Sequence, residues 1–549
     1  MILRDYQQLA IDHTTRRIED GQTRLYIHLP TGVGKGVILA AIAAQELEAG
    51  RVLVLVHLQE IALQLVETLQ QAGVEAGLLM QGRRELAAPA VVATVQSLTP
   101  ANLQALIEAS EDPIATILID EAHHAVPGSA YERIVTGIEA IDEELQVVTI
   151  GFSATPYRSD KRSMLSLLPT CAFARDIPDM VRADWLAPLT WKPLRVNVDL
   201  ARVATTRRSG EMDYVEEELA NELLHNAITE EIVQQVASMI EKRPTLVFAI
   251  TVEHAAQLAE AFRHLGLEAT TVSTNTGRRE RERIFANWRA GQIQVVCNCT
   301  LLTEGFDFPS IATLVIARPT LSPLLYIQML GRGTRRAEGK QDCLVIDVMG
   351  NQPNTTSQVV LPLVVGVSKA ETGNEEEAER SRTTDPILKA LLGVDIESGL
   401  SLLDPIGQSH YRWVAYRHGY FARVTRDITA IIERDPEGSG LYRSRLYTRE
   451  YEQEGQESEH RWIAQEYLPL KQQVALVHEL TKAIASEAFS GKDAAWLNEP
   501  ATPKQIAQLR WLHPKLARQA VIKGWSKRTA SDVITYCSIK ETLIHPPQM

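Results

Sequence analysis

The sequence predicts an α/β fold: two parallel-sheet domains in tandem, followed by a smaller α+β accessory region. Short β-rich runs are apolar continuously rather than alternately, as strands buried on both faces are. Amphipathic stretches such as Val37–Glu48 and Glu253–Leu265 lie between them. The runs also fall into two sets. Arg24–Leu29, Val52–Val56, Ala90–Thr94, Thr116–Ile119 and Val147–Phe152 make the first. Thr245–Ile250, Ala269–Ser273, Gln294–Cys297, Thr313–Ala317 and Cys343–Asp347 make the second. Strand–helix–strand repetition of this kind builds parallel sheets. The expected limits are residues 1–190 and 191–365, with the split near 185–200.

The character changes after about residue 355. The acidic stretch ETGNEEEAER (Glu371–Arg380) reads as a solvated linker, within an expected span of 366–387. Residues 388–490 are expected to form a small β-rich and helical domain. YRWVAYRHGYFARV (411–424) alternates around a His418-Gly419 turn, and IIERDPEGSGLYRSRL (431–446) holds a Pro/Gly turn between two strands. Residues 460–490 have a helical pattern. Tyr411, Trp413, Tyr416, Tyr420 and Phe421 can stack bases, form a strand-splitting wedge or build a small core. Residues 491–549 read as a basic helical module. From Pro500 onward there are eight Lys/Arg against two acids. That segment can bind polyanions or simply cap the helices before it.

Composition bounds the function. The chain has 549 residues, 45% hydrophobic and 23% charged, with a formal net charge of −13. This is globular composition, not disordered or fibrous. The acidic balance argues against a surface coated in nucleic acid but allows a local basic cleft. The longest apolar run, Val359–Val367, has nine residues and contains Pro362. A spanning helix needs about 20, so no membrane role is expected. Five scattered cysteines with no CxxC pair do not make a disulfide framework. No secretory leader is expected, and a reducing cytoplasmic setting follows.

Two motifs carry chemistry. LPTGVGKG (29–36) places a Gly-containing loop between a strand and a helix opened by Lys35. Backbone N–H groups and a helix N-terminus there can cradle phosphates, with the ammonium on the outer oxygens. The pattern GxxxxGK[ST] is met imperfectly. Leu29 takes the first Gly position and Gly36 the metal-binding hydroxyl position. ILIDEAHH (117–124) ends a strand in Asp120-Glu121. Carboxylates at the C-terminal end of a parallel strand overlook the ligand crevice. Asp120 is placed to hold Mg²⁺, and Glu121 to polarise an attacking water.

With these residues in view the chain resembles superfamily 2 helicases. DEAH (120–123), SATP (153–156) and QMLGRGTRR (328–336) look like motifs II, III and VI. LRDYQ (3–7) resembles the adenine-reading Q motif. VHLQEIALQ (56–64) and TVQSL (94–98) are similar to motifs Ia and Ib, and TLVFAITVEHA (245–255) and LLTEGFDFP (301–309) to motifs IV and V. The spelling looks most like the DEAH-type branch of RadD-like DNA-repair helicases and restriction-enzyme (ResIII) motors. DEAD-box RNA helicases typically spell motif VI differently.

The resemblance implies two RecA-like domains with ATP and Mg²⁺ between them, and an ATP-dependent DNA helicase or translocase. Arg4 and Gln7 would contact the adenine, Gln7 through a bidentate amide. Pro30, Thr31, Gly32, Val33, Gly34, Lys35 and Gly36 would hold the phosphates. His123, Ser153, Ala154 and Thr155 would couple the ATP site to interdomain contact. Gly305 and Asp307 would approach the ribose. Gln328 completes motif VI, whose Arg332 and Arg335, at i and i+3, would share one helix face as arginine fingers. His57, Gln59, Thr94, Gln96, Thr300 and Thr303 are candidates for nucleic-acid phosphates, ordinary capping being the alternative for the threonines and Gln96. The expected partner is DNA, single-stranded or forked, in preference to RNA, with protein partners open to the C-terminal region. The cytoplasm of a bacterium or phage host, near the nucleoid, is the expected setting. The alternatives are an RNA helicase and a weakly hydrolysing nucleic-acid scaffold, the latter motivated by Gly36. His123 and His124 lack further ligands at metal spacing, so zinc is not expected.

Overall fold

The computed structural model describes residues 2–141, 146–154, 164–208, 211–224, 228–299, 308–349, 413–416, 419–424, 428–448, 459–481, 500–512 and 534–535. It divides into two compact units, Met1–Val365 and Gly366–Met549. The first unit holds both parallel sheets.

The first sheet has eight strands: β1 (Arg24–His28), β2 (Arg51–Val56), β3 (Ala76–Met80), β4 (Arg83–Arg84), β5 (Ala90–Thr94), β6 (Ile114–Ile119), β7 (Val148–Ser153) and β8 (Thr170–Ala174). Their order is β4-β3-β5-β2-β6-β7-β1-β8. All neighbours are parallel except β4, which runs antiparallel to β3. Every residue of β2, β5, β6 and β7 is buried, which is why these runs read as continuously apolar. The helices are α1 (Asp5–Glu19), α2 (Lys35–Glu46), α3 (Gln59–Gln71), α4 (Pro100–Glu108), α5 (Ala130–Glu139) and α6 (Ile177–Arg182). The parallel register puts the ends of β1, β6 and β7 on one sheet edge, so the segments after Leu29, Asp120 and Ser153 converge.

The second sheet joins β9 (Leu189–Arg195) to all five strands of the second predicted set. These are β12 (Thr245–Phe248), β13 (Ala269–Val272), β14 (Val295–Asn298), β15 (Thr313–Ile316) and β16 (Cys343–Met349), ordered β13-β14-β12-β15-β16-β9 and all parallel. Between β9 and β12 stand a separate antiparallel hairpin, β10 (Thr205–Arg208) with β11 (Glu211–Tyr214), and helices α7 (Glu216–Leu224) and α8 (Ile228–Ile240). Helices α9 (Val252–His264), α10 (Arg278–Arg289) and α11 (Pro323–Gly333) complete this half. The connector between the sheets is bonded to the second: the Ala187 N–H donates to the Thr334 carbonyl at 2.6 Å, and Arg336 pairs with Asp184. No helix among the described residues is long and apolar enough to cross a membrane.

The second unit contains a five-stranded antiparallel meander: β17 (Trp413–Tyr416), β18 (Gly419–Arg423), β19 (Ile428–Arg434), β20 (Tyr442–Thr448) and β21 (Glu459–Leu468). Helix α12 (Leu470–Thr481) packs on β20 and β21, and α13 (Pro503–Leu512) follows. Two expectations are corrected. Gly419 is a strand residue paired with Tyr416, not part of the turn. Residues 460–468, the start of the stretch expected as helix, belong to β21, paired with β20. Of the aromatic residues, Trp413 and Phe421 are fully buried and serve the core. The linker of 366–387, Tyr411 and most of the basic tail lie outside the described residues.

Candidate active site

The phosphate-loop candidate is held by local geometry. Gly32 and Gly34 have φ of +84° and +78°, a left-handed backbone that favours glycine. Gly34 is the N-cap of α2, and Lys35 opens the helix with no side-chain cap, so first-turn N–H groups face the loop. Pro30, Thr31, Val33 and Lys35 are buried. Tyr6 Oη donates to the Val33 carbonyl at 2.5 Å, and Gln7 Nε2 donates to the same carbonyl at 3.3 Å. Gln7 Oε1 accepts from the Arg4 N–H at 3.0 Å. The Gln7 amide therefore ties α1 to the loop. The Arg4 guanidinium lies 5.0 Å from the Trp185 ring, and Tyr6 meets that ring edge-on at 5.4 Å. Tyr6 and Trp185 were not singled out by the sequence reading. Tyr6 meets the loop through its hydroxyl, and Trp185 meets Tyr6.

Asp120 and Glu121 follow directly after β6. Glu121 has φ +48°, unusual for a residue with a side chain. Lys35 Nζ stands 3.5 Å from Glu121 Oε1, without a hydrogen-bond partner among the described residues. His123 Nδ1 lies 3.3 Å from Glu121 Oε2 and 3.4 Å from Ser153 Oγ. Burial and the adjacent Glu121 charge push the Asp120 carboxyl up to about 6. Burial opposes ionisation of Glu121 too, but Lys35, His123 and His57 outweigh it and hold its carboxyl well below the usual range. One carboxylate is thus strongly committed to its charge while its neighbour is not, as expected when like charges crowd. Ala154 is buried, and its carbonyl lies 3.1 Å from His28 Nε2.

Motif VI meets this loop directly. The Thr31 side chain lies against Gly331 so closely that a Cβ there would fall 1.7 Å from Thr31 Oγ1. The Arg335 side chain covers Gly32, with Cγ 2.7 Å and Nε 3.2 Å from where a Cβ would stand. Gln328 and Arg332 are buried on α11. Arg335 does not share that helix: α11 ends at Gly333 with Thr334 as C-cap. The i, i+3 helical pairing is corrected accordingly, since a second glycine and a C-cap threonine stop the helix two residues short. Lys340, also missed in the sequence, fixes this turn. Its Nζ donates to the carbonyls of Gly333 and Arg335 at 2.7 Å each and of Pro309 at 3.1 Å. Burial pushes its ammonium down to about 8.

The nucleic-acid candidates separate. Gln59 and Gln96 are exposed and His57 is half-buried. Thr94 is buried with its hydroxyl 2.7 Å from Ser97 Oγ, so it builds its own turn. Thr155, Thr300, Thr303, Gly305 and Asp307 lie outside the described residues.

Gly36 packs against α3, where an added Cβ would lie 3.2 Å from Leu65 Cδ2. No group of three or more His, Cys, Asp or Glu among the described residues could cage a metal ion. One strand-end carboxylate beside a buried, underused ammonium suits a metal carried in with phosphates. Mg²⁺ keeps waters and takes few protein ligands in such sites.

Comparison with known proteins agrees with this geometry. Residues 1–158 match the family described as "Type III restriction enzyme, res subunit", and residues 226–337 the "Helicase conserved C-terminal domain". A candidate ATP-dependent helicase of Saccharomyces cerevisiae, IRC3, is 30% identical over 404 residues, covering 71% of this chain and 57% of that protein. The chain thus spans little more than half of that relative's length. A candidate mitochondrial ATP-dependent helicase of Schizosaccharomyces pombe, irc3, is 26% identical over 554 residues, covering 97% of this chain and 90% of the other. A fragment structure of a candidate HsdR subunit of a type I restriction enzyme from Vibrio vulnificus superposes with a TM-score of 0.50 at 21% identity, covering 67% of this chain and 68% of that one; this likeness concerns the fold. With two parallel sheets meeting at a phosphate loop, a DEAH strand end and motif VI, the chain belongs to the superfamily 2 helicases of the ResIII type, a family of ATP-hydrolysing enzymes.

Proposed function

We propose that this chain hydrolyses ATP with Mg²⁺ and uses the turnover to move along, or unwind, DNA. The observation that carries the reading is the closed contact between the loop at Thr31–Gly32 and motif VI at Gly331 and Arg335. ATP phosphates would enter between groups from both halves, so gain and loss of the γ-phosphate can close and open the cleft. In this reading Lys35 and the 30–36 backbone bind phosphates. Asp120 would hold Mg²⁺, which supplies charge neutralisation on the phosphate oxygens. Glu121, kept ionised, orients and polarises the water. Arg335, and Arg332 behind it, meet the charge that develops on the leaving phosphoryl group. His123 and Ser153 tie Glu121 to β7.

DNA is favoured over RNA by the restriction-enzyme family matched over residues 1–158. A bacterial or phage-host cytoplasm is the proposed setting. The test is steady-state ATPase with single-stranded, duplex and forked DNA and with RNA in parallel. Stimulation by DNA well above RNA is expected. Stimulation by RNA alone would make it an RNA helicase, and binding without turnover a scaffold.

A further inference from the structure

Three imidazoles stand in a row behind Glu121. His123 touches the carboxylate. The His124 ring lies 4.2 Å from that of His123 and 4.8 Å from that of His57, tilted by 42° and 46°. His57 follows β2, and its carbonyl accepts a hydrogen bond at 3.2 Å from the exposed Gln96 amide, in the segment after β5. The row therefore runs from the surface of Gln59 and Gln96 inward to Glu121. The His124 backbone joins it as well, its N–H donating to the Glu121 carbonyl at 3.1 Å. Glu121 sits in a left-handed conformation that only its surroundings can maintain. His123 is buried and His57 and His124 are half-buried, and rings in contact at these distances limit one another's shifts.

We infer that His124 is a positioning residue that couples occupancy of the nucleic-acid surface at His57 and Gln96 to the setting of the Glu121 carboxylate. A strand bound against that surface biases His57, the His57 ring moves His124, and His124 reaches Glu121 through His123 and through its own N–H. His124 touches neither ATP nor nucleic acid in this arrangement; it acts through its two neighbours. The inference rests on the proposed DNA-stimulated ATPase.

The experiment compares wild type, His124→Ala and His124→Phe in ATP turnover without DNA and with saturating single-stranded DNA, alongside DNA affinity and melting temperature. His124→Ala should keep basal turnover, KM for ATP and DNA affinity, while stimulation by DNA falls about tenfold, an ordinary size for coupling between sites. His124→Phe keeps a ring in the row and should recover most of the stimulation. Full stimulation in His124→Ala would overturn the inference, as would a fall in DNA affinity that accounts for the lost stimulation. If His124→Ala does not fold, a natively folded His124→Phe without stimulation overturns it equally. Absence of turnover, or of DNA stimulation, in wild type would instead remove the reading beneath it.

Discussion

Gly331→Ala tests the closed contact at its tightest point. The new Cβ would lie 1.7 Å from Thr31 Oγ1, against about 3.0 Å for the closest separations real Cβ atoms show, a deficit of about 1.3 Å. Thr31 is buried and β-branched, so its rotamer offers little relief. The α11 segment must back away from the phosphate loop by a comparable distance. Misplacing reacting groups by ~1 Å costs on the order of a hundredfold in rate, so kcat should fall by that factor. ATP affinity should change little, because Lys35 and the loop are untouched. Thr31→Ala removes the offending oxygen and leaves the nearest contact, the Thr31 Cβ, at 3.0 Å. The double variant should therefore recover turnover close to that of Thr31→Ala alone, a strong coupling in a double-mutant cycle. The assay is DNA-stimulated steady-state ATPase for all four proteins. Turnover within a few-fold of wild type in Gly331→Ala would refute the claim that this contact belongs to the working state.

Other outcomes follow from the same geometry. Lys35→Ala should weaken ATP binding, whereas Glu121→Gln should abolish turnover and still bind ATP; nucleotide titration separates them, and equal loss of binding would contradict the assigned roles. Arg332→Ala and Arg335→Ala should each lower kcat by roughly 10³ with ATP affinity nearly kept; rates within a few-fold of wild type in both would remove them as fingers. Gly36→Thr should keep ATPase activity, yet the added Cβ at 3.2 Å from Leu65 Cδ2 should cost about 1 kcal/mol in urea unfolding. Loss of turnover in a folded Gly36→Thr would count against that expectation. Burial holds His254 down to about 4 from 6.5. Its folded pKa lies below the unfolded one, so its stabilising share is complete above pH 6.5 and is lost as pH falls towards 4. The difference is on the order of 3 kcal/mol. Unfolding of His254→Gln should therefore show a shallower pH dependence between 6.5 and 4 than wild type, and parallel curves would disprove it.

What the sequence made legible was whatever depended on local pattern. Strands such as β2 and β6 are buried on both faces, so their apolar runs announced them. Strand β9 did not, because it lies at the sheet edge, alternates between buried and exposed residues and contains Pro193, which an edge tolerates. The short β3 and β8 carry small residues and little periodicity. In the site, Lys35, Asp120 and Glu121 could be named because strand ends and glycine loops have spelled-out motifs. Thr31 against Gly331, Trp185 beneath Arg4, and Lys340 holding the Pro309 carbonyl could not. Those contacts join residues far apart in the chain, or with no motif to mark them, and only the fold brings them together.

The bonded connector has a mechanical consequence. Ala187 donates to Thr334, and Asp184 pairs with Arg336, so the segment joining the sheets is pinned to the end of motif VI. Rotation of one half against the other then pivots beside the nucleotide and not at the far rim. A turn of roughly 10° about such a pivot carries a point ~20 Å away through ~3.4 Å, the axial rise per nucleotide of one B-form strand. On the proposed reading, the motor needs only a small hinge angle per ATP, because the lever arm is the sheet itself. Distance measurements between probes on α4 and α9, with and without nucleotide, would expose that arm; a constant separation would leave the pivot without a lever.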